Sequence, residues 1–160
     1  MQLFNFKKIE YKSSNNSYAI ILEDINKKKK LSILIGSNEA QSLSLTHEKI
    51  KFPRPRTSQL LINLIEKISG NLKYIIINKY KKGVFYASIK LKISNTVINL
   101  DARPSDAIEI AIKENLPIYI KDEILKLINR KNIFDNQNTD KEFDVSKQSY
   151  NIDDMRNNLL

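Results

Sequence analysis

An arginine and two carboxylates fall within six residues of one another: Asp101, Arg103 and Asp106, inside Asn99-Leu-Asp-Ala-Arg-Pro-Ser-Asp-Ala-Ile-Glu-Ile-Ala111. A second arginine–proline stretch stands upstream, Arg54-Pro55-Arg56-Thr57-Ser58. A guanidinium can clasp phosphate with a planar fork. A carboxylate can activate water or hold a divalent cation. Hydrolysis of a phosphodiester needs activated water, charge stabilisation on the phosphoryl oxygens and, often, a metal ion such as Mg²⁺ or Mn²⁺ on oxygen ligands. The candidates for that chemistry are Asp101, Asp106 and Glu39; those for phosphate are Arg54, Arg56, Arg103, Thr57 and Ser105. No residue is singled out as a metal ligand. The plainer reading is that Ser105 and Asp106 cap a helix and Asp106 pairs locally with Arg103. One sequence leaves both open. His47, the single histidine, reads as a surface or helix-end residue rather than a base.

These residues need elements to hold them. In 97–103, Ile98, Leu100 and Ala102 alternate with Asn99, Asp101 and Arg103, the pattern of a strand. Pro104 suits a first helical turn, where its missing N–H would have no partner. Ala107, Ile108, Ala111 and Ile112 then form a helical apolar stripe. Upstream, Pro53 and Pro55 keep their neighbours extended, Thr57 caps a helix, and Leu60, Leu61, Leu64, Ile65 and Ile68 form its buried stripe up to Gly70. A third start follows Gly36, with Ser37 as cap and Glu39 in the first turn of a helix running to about Lys49. Helix N-termini carry free N–H groups and partial positive charge, so they attract anions. If these starts face one cleft, the cleft binds phosphate.

The rest of the chain reads as strands in groups with helices between. Strands are expected at 1–11, 18–22 and 31–35, then as an antiparallel meander over 72–80, 84–93 and 96–102, turned at Lys81-Lys82-Gly83 and Ser94-Asn95. In the middle strand Phe85, Ala87, Ile89, Leu91 and Ile93 face the core, and Tyr86, Ser88, Lys90 and Lys92 face out. A short strand at 117–120 and a helix over 122–129 close the series. This grouping predicts an α+β fold, a mixed and mainly antiparallel sheet with helices packed on it. It forms a single domain over 1–130, followed by a polar, flexible tail over 131–160. Residues Ile152 to Leu160 could begin one more amphipathic helix.

Composition bounds the function. With no cysteine, disulfides and thiolate metal sites are excluded, and one histidine excludes a multi-histidine site within the chain. No apolar run reaches membrane-spanning length and the first eleven residues are too polar for a signal peptide, so a cytoplasmic protein without a membrane partner is expected. The formal charge is +9, but residues 134–160 hold six acids and three bases, leaving 24 bases against 12 acids in residues 1–133. A basic body suits an anionic partner such as RNA or DNA. The lysines say little, because the bias toward Lys, Ile and Asn is that of an AT-rich genome; only five of the 27 basic residues are arginine.

The motifs together resemble the bifunctional nuclease (BFN) domain family. The matching stretches are Leu31-Ser-Ile-Leu-Ile-Gly-Ser-Asn-Glu-Ala40, Arg54-Pro-Arg-Thr-Ser-Gln-Leu-Leu61, Gly83-Val-Phe-Tyr-Ala-Ser88, Asp101-Ala-Arg-Pro-Ser-Asp-Ala107 and Leu116-Pro-Ile-Tyr-Ile120, in the family's order over roughly residues 1–125. The resemblance implies an α+β domain, a homodimer in bacterial members, and nuclease activity on RNA and DNA. One departure stands out. The family's first arginine–proline motif usually continues Thr-His-Asp, whereas Thr57 is followed here by Ser58 and Gln59. If the chemistry used those two side chains, this protein would bind without cutting. The end of the tail also resembles the start of a UvrB–UvrC interaction hairpin.

Overall fold

A computed structural model describes residues 1–13, 16–130 and 141–142. Its first three strands, β1 (Gln2–Lys12), β2 (Ser17–Asp24) and β3 (Lys30–Ile35), pair antiparallel in sequence order. After α1 (Ser37–His47) and α2 (Thr57–Lys67) comes the meander of β4 (Gly70–Lys81), β5 (Val84–Ile93) and β6 (Thr96–Ala102). Helix α3 (Pro104–Glu114) then carries the chain back across β5 and β4 to β7 (Ile118–Ile120), and α4 (Asp122–Arg130) follows. Strand β7 joins the two halves, lying parallel to β4 and antiparallel to β1. The sheet order is β3-β2-β1-β7-β4-β5-β6, with β8 (Lys141–Glu142) paired on β1. This is the mixed, mainly antiparallel α+β domain expected from the grouping of the elements. The expected flexible tail and the helix start at 152–160 lie outside the described residues, apart from that short strand.

The core is built from aliphatic side chains of both halves. Phe4, Ile20, Leu22 and Leu31 of the first sheet half, Ile75, Ile77 and Ile89 of the second, Ile120 of β7, and Leu43, Ile62, Ile108 and Ile124 of the four helices are all fully buried. Burying a side chain of this size stabilises the fold by about 1.5–3 kcal/mol. Helix α3 packs on β4 and β5, while α1 and α2 both pack on α3. Residue 104 therefore starts a helix that is clamped on three sides.

Three expectations need correcting. In α2 only Ile62 and Ile65 are buried; Leu60, Leu64 and Ile68 are exposed. They recur at i, i+4 and i+8 on the side of the helix turned away from the sheet, so the apolar stripe is wider than the core uses. Ile98 and Leu100 alternate as expected but remain exposed, because β6 is the last strand of the sheet among the described residues. Ser88 is buried rather than outward, since β5 has a strand on either side and Asn78 Nδ2 donates to Ser88 Oγ at 3.0 Å.

The turn from α2 into β4 leaves no room for a side chain at residue 70. A Cβ on Gly70 would lie 2.9 Å from the Ile65 carbonyl oxygen and 2.8 Å from Ile65 Cγ2. Gly70→Ala should therefore destabilise the domain by about 1–3 kcal/mol, read as a lower urea midpoint at unchanged slope.

Candidate functional site

The starts of α1, α2 and α3 meet. One cavity of about 720 Å³ is lined by Asn38 and Glu39 from the first, Thr57 and Ser58 from the second, and Ser105 and Asp106 from the third, with Leu100 and Asp101 of β6 along its side. None of the three helices has a side-chain cap. This corrects the expected capping by Ser37, Thr57, Ser105 and Asp106. The residues ahead of the helices are Gly36, Arg56 and Arg103, all with extended backbone, while Ser37 and Thr57 are already the first helical residues. The side chain that caps the first-turn N–H groups comes from the residue before the helix, and neither Gly36 nor the two arginines supply an acceptor there. The first-turn N–H groups thus lack the acceptor a cap would supply, and three positive helix ends face one space.

Arg103 ties two of these starts together. Its Nε and one Nη donate to the two oxygens of Asp106 at 2.8 and 3.1 Å, and the other Nη donates to Glu39 Oε1 at 2.9 Å. The fork binds its own helix start and reaches across to α1. Hydrogen bonding to Asp106 is the main reason the guanidinium pKa is raised further. The side chain is two-thirds exposed, so this clamp adds only about 1 kcal/mol or less to stability. Gly36 leaves space for it: a Cβ there would stand 2.6 Å from Glu39 Oε2.

Deeper in the cavity, Glu109 is buried and accepts three hydroxyl hydrogen bonds, from Ser42 Oγ at 2.6 Å, Ser58 Oγ at 2.7 Å and Thr46 Oγ1 at 3.2 Å. Arg56 donates to Ser42 Oγ at 2.7 Å, and Lys113 Nζ donates to Ser58 Oγ at 3.1 Å. One carboxylate thereby joins α1, α2 and α3, and the hydroxyls of Ser42 and Ser58 donate inward to it while accepting from a cation outside. The sequence reading passed over Glu109. Its signal is a carboxylate between Ala107-Ile108 and Ile110-Ala111, four residues after Ser105 and four before Lys113, on the face of the helix that carries both.

The candidate residues come together with one exception. Asp101, Asp106, Glu39, Arg56, Arg103, Thr57 and Ser105 all line this cavity. Arg54 lines a neighbouring groove with Lys49, Lys51 and Lys113, and Arg56 borders both spaces. Asp101 stands exposed at the rim and, alone of the four carboxylates in the cavity, has no hydrogen bond or ion pair among the described residues. Also among the described residues, no three His, Asp or Glu side chains gather closely enough to hold a metal ion. Arg103 occupies the place between Glu39 and Asp106 that a bridging cation would take. The residues present do not form a ready cage for Mg²⁺ or Mn²⁺. His47 is exposed at the end of α1, its ring 4.9 Å from that of Phe6, away from the cavity.

The architecture is that of an α+β domain gathering helix starts and guanidinium groups around a cleft suited to an anion. A family model for the bifunctional nuclease domain matches residues 20–132, and the chain belongs to that family. Uncharacterized proteins from two strains of Mycobacterium tuberculosis, H37Rv and CDC 1551, are each 32% identical to it over 117 residues, covering 73% of this chain and 70% of theirs. No helix among the described residues is long and apolar enough to cross a membrane.

Burial holds the Lys113 pKa below the ordinary lysine value, the Arg56 charge adds to the effect, and Glu109 opposes it. Glu109→Gln removes the opposing charge, so the Lys113 pKa should fall further. Titration of ¹³C-methylated lysines by NMR checks both statements. A Lys113 midpoint that rises in the variant would contradict the network.

Proposed function

We propose that this chain binds RNA or DNA and hydrolyses a phosphodiester bond in the cavity between α1, α2, α3 and β6. The observation that carries the reading is the meeting of three uncapped helix starts with two guanidinium groups beside a carboxylate that has no partner among the described residues. The first-turn N–H groups and the hydroxyls of Thr57 and Ser105 would donate to phosphoryl oxygens. Arg103 and Arg56 would balance charge as it grows on them. Asp101, free of an internal ion pair, would take the proton of the attacking water. Glu39 and Asp106 hold Arg103 in place.

Binding without hydrolysis is the second reading. It is favoured by Ser58 and Gln59, which stand where the family usually has His-Asp. The side chain of Ser58 is engaged with Glu109, and that of Gln59 donates to Asn63 Oδ1 at 2.8 Å. Neither supplies a base or a metal ligand. We infer a cytoplasmic place of action from the nucleic-acid reading.

We further infer a homodimer built on the exposed face of α2 and the open edge of β6. Leu60, Leu64 and Ile68 on the helix and Val97, Ile98 and Leu100 on the strand are six of the twelve large apolar residues exposed among the described residues. Both elements flank one cavity, and an unpaired edge strand invites a second copy.

Two measurements test these statements. End-labelled RNA and single-stranded DNA are incubated with Mg²⁺, Mn²⁺ or chelator. Asp101→Asn should cut about 10²–10⁴-fold more slowly with binding retained, whereas Arg103→Ala should weaken binding as well. Cleavage unaltered by Asp101→Asn removes that residue from the chemistry. Binding with no cleavage by the natural chain upholds the second reading. Light scattering should give twice the 18.6 kDa chain mass for the natural protein and a single chain for Leu64→Glu.

A further inference from the structure

Next to the acid-bearing cavity lies a groove of about 730 Å³ with the opposite charge. Lys49, Lys51, Arg54, Arg56 and Lys113 line it, and no carboxylate does. They come from three places: the segment leaving α1, the extended stretch before α2, and the last turn of α3. None of the five forms an ion pair among the described residues, although Lys7, Lys8 and Lys12 of β1 and the Lys30 ammonium do find carboxylates. The adjoining cavity reverses this, with four carboxylates against two arginines. Like charges brought together repel, and among the described residues no carboxylate pairs directly with any of the five; Glu109 reaches Lys113 only through the Ser58 hydroxyl.

Arg56 is the hinge between the two spaces. Its guanidinium lies 5.2 Å from the centre of the Phe52 ring and donates to Ser42 Oγ, so its fork is fixed at the boundary. Lys113 likewise lines the groove while donating to Ser58 of the cavity. A ligand with one anionic group at the helix starts and further anionic groups at regular spacing would meet Arg56 next and the lysines and Arg54 after it.

We propose that this groove seats the phosphate backbone of a single-stranded nucleic acid, holding the nucleotides that flank the phosphodiester in the cavity. The inference rests on the phosphodiester reading of that cavity and adds its substrate class: a strand several nucleotides long, gripped through phosphates and therefore without sequence preference. A mononucleotide would fill the cavity and leave the groove empty.

The test is the anisotropy of fluorescein-labelled dT16 and U16 titrated with the full chain between 50 and 200 mM salt. The variant is Lys49→Glu/Lys51→Glu/Arg54→Glu, three exposed side chains with no hydrogen bond among the described residues, and its melting temperature confirms that it folds. The variant should bind at least ten times more weakly, with a log–log salt slope shallower by about two, since each single-strand phosphate contact contributes about 0.7. Equal affinity and slope for variant and natural chain would overturn the proposal, as would binding confined to inorganic polyphosphate with none to either oligonucleotide. If the natural chain binds dT16, the triple variant does not, and neither cleaves, the groove stands and hydrolysis falls. If both cleave and bind alike, hydrolysis stands and the groove falls.

Discussion

Three helix starts aimed into one cavity repel one another, and the arrangement persists only with negative charge among them. Each end carries roughly half a positive charge. The fold supplies the balance from the same elements: Glu39 in the first turn of α1, Asp106 in the first turn of α3, and Glu109 one turn deeper. Arg103 holds two of these carboxylates in fixed positions, and three hydroxyls hold the third. The site is thus poised between anion-seeking N–H groups and resident carboxylates. On the phosphodiester reading proposed above, an incoming phosphate would add to the helix starts while Arg103 keeps Glu39 and Asp106 from opposing it.

The order of the elements follows from this constraint. The meander β4-β5-β6 ends at the outer edge of the sheet, and α3 must cross back over β5 and β4 to reach β7. Its start therefore lies at the sheet edge, beside Asp101, and its middle lies over the core. Ile108 is buried in that core and Glu109, one residue on, turns toward α1 and α2. The same crossing seals the hydrophobic interior and delivers the buried carboxylate to the cavity. A carboxylate so placed is tolerated because its oxygens accept hydrogen bonds from three hydroxyls.

Much of this was legible in the residues. Alternation at 97–102 and Pro104 marked the junction of strand and helix, and the grouping of Asp101, Arg103 and Asp106 marked its chemistry. What escaped depends on long-range packing. The exposed Leu60, Leu64 and Ile68 show that periodicity reports an apolar face without reporting what covers it. Glu109 carries no local signal of its role, because its partners Ser42, Thr46 and Ser58 are 51 to 67 residues away in sequence. Arg54 and Arg56 are equivalent by local spacing, yet only Arg56 precedes the helix directly and so borders the cavity. The hydroxyls lie one position further along than a cap requires: Ser37 and Thr57 sit just inside their helices, which leaves the first-turn N–H groups without a cap acceptor.

Ser58-Gln59, where the family resemblance implies His-Asp, has a structural meaning in this setting. Residue 58 touches Glu109 directly, so an imidazole there would stand against a buried carboxylate and be favoured in its charged form. Serine brings no charge. It relays a hydrogen bond from Lys113 to Glu109, and the cation next to the carboxylate is moved outward by one side chain, to the border of the basic groove. Gln59 lines that groove and keeps it free of the negative charge an aspartate would bring. Both changes shift positive potential from the cavity toward the groove. On the proposed reading they would leave the helix starts and Arg103 to meet a phosphate in the cavity, and would make the neighbouring surface a stronger seat for the strand that carries it.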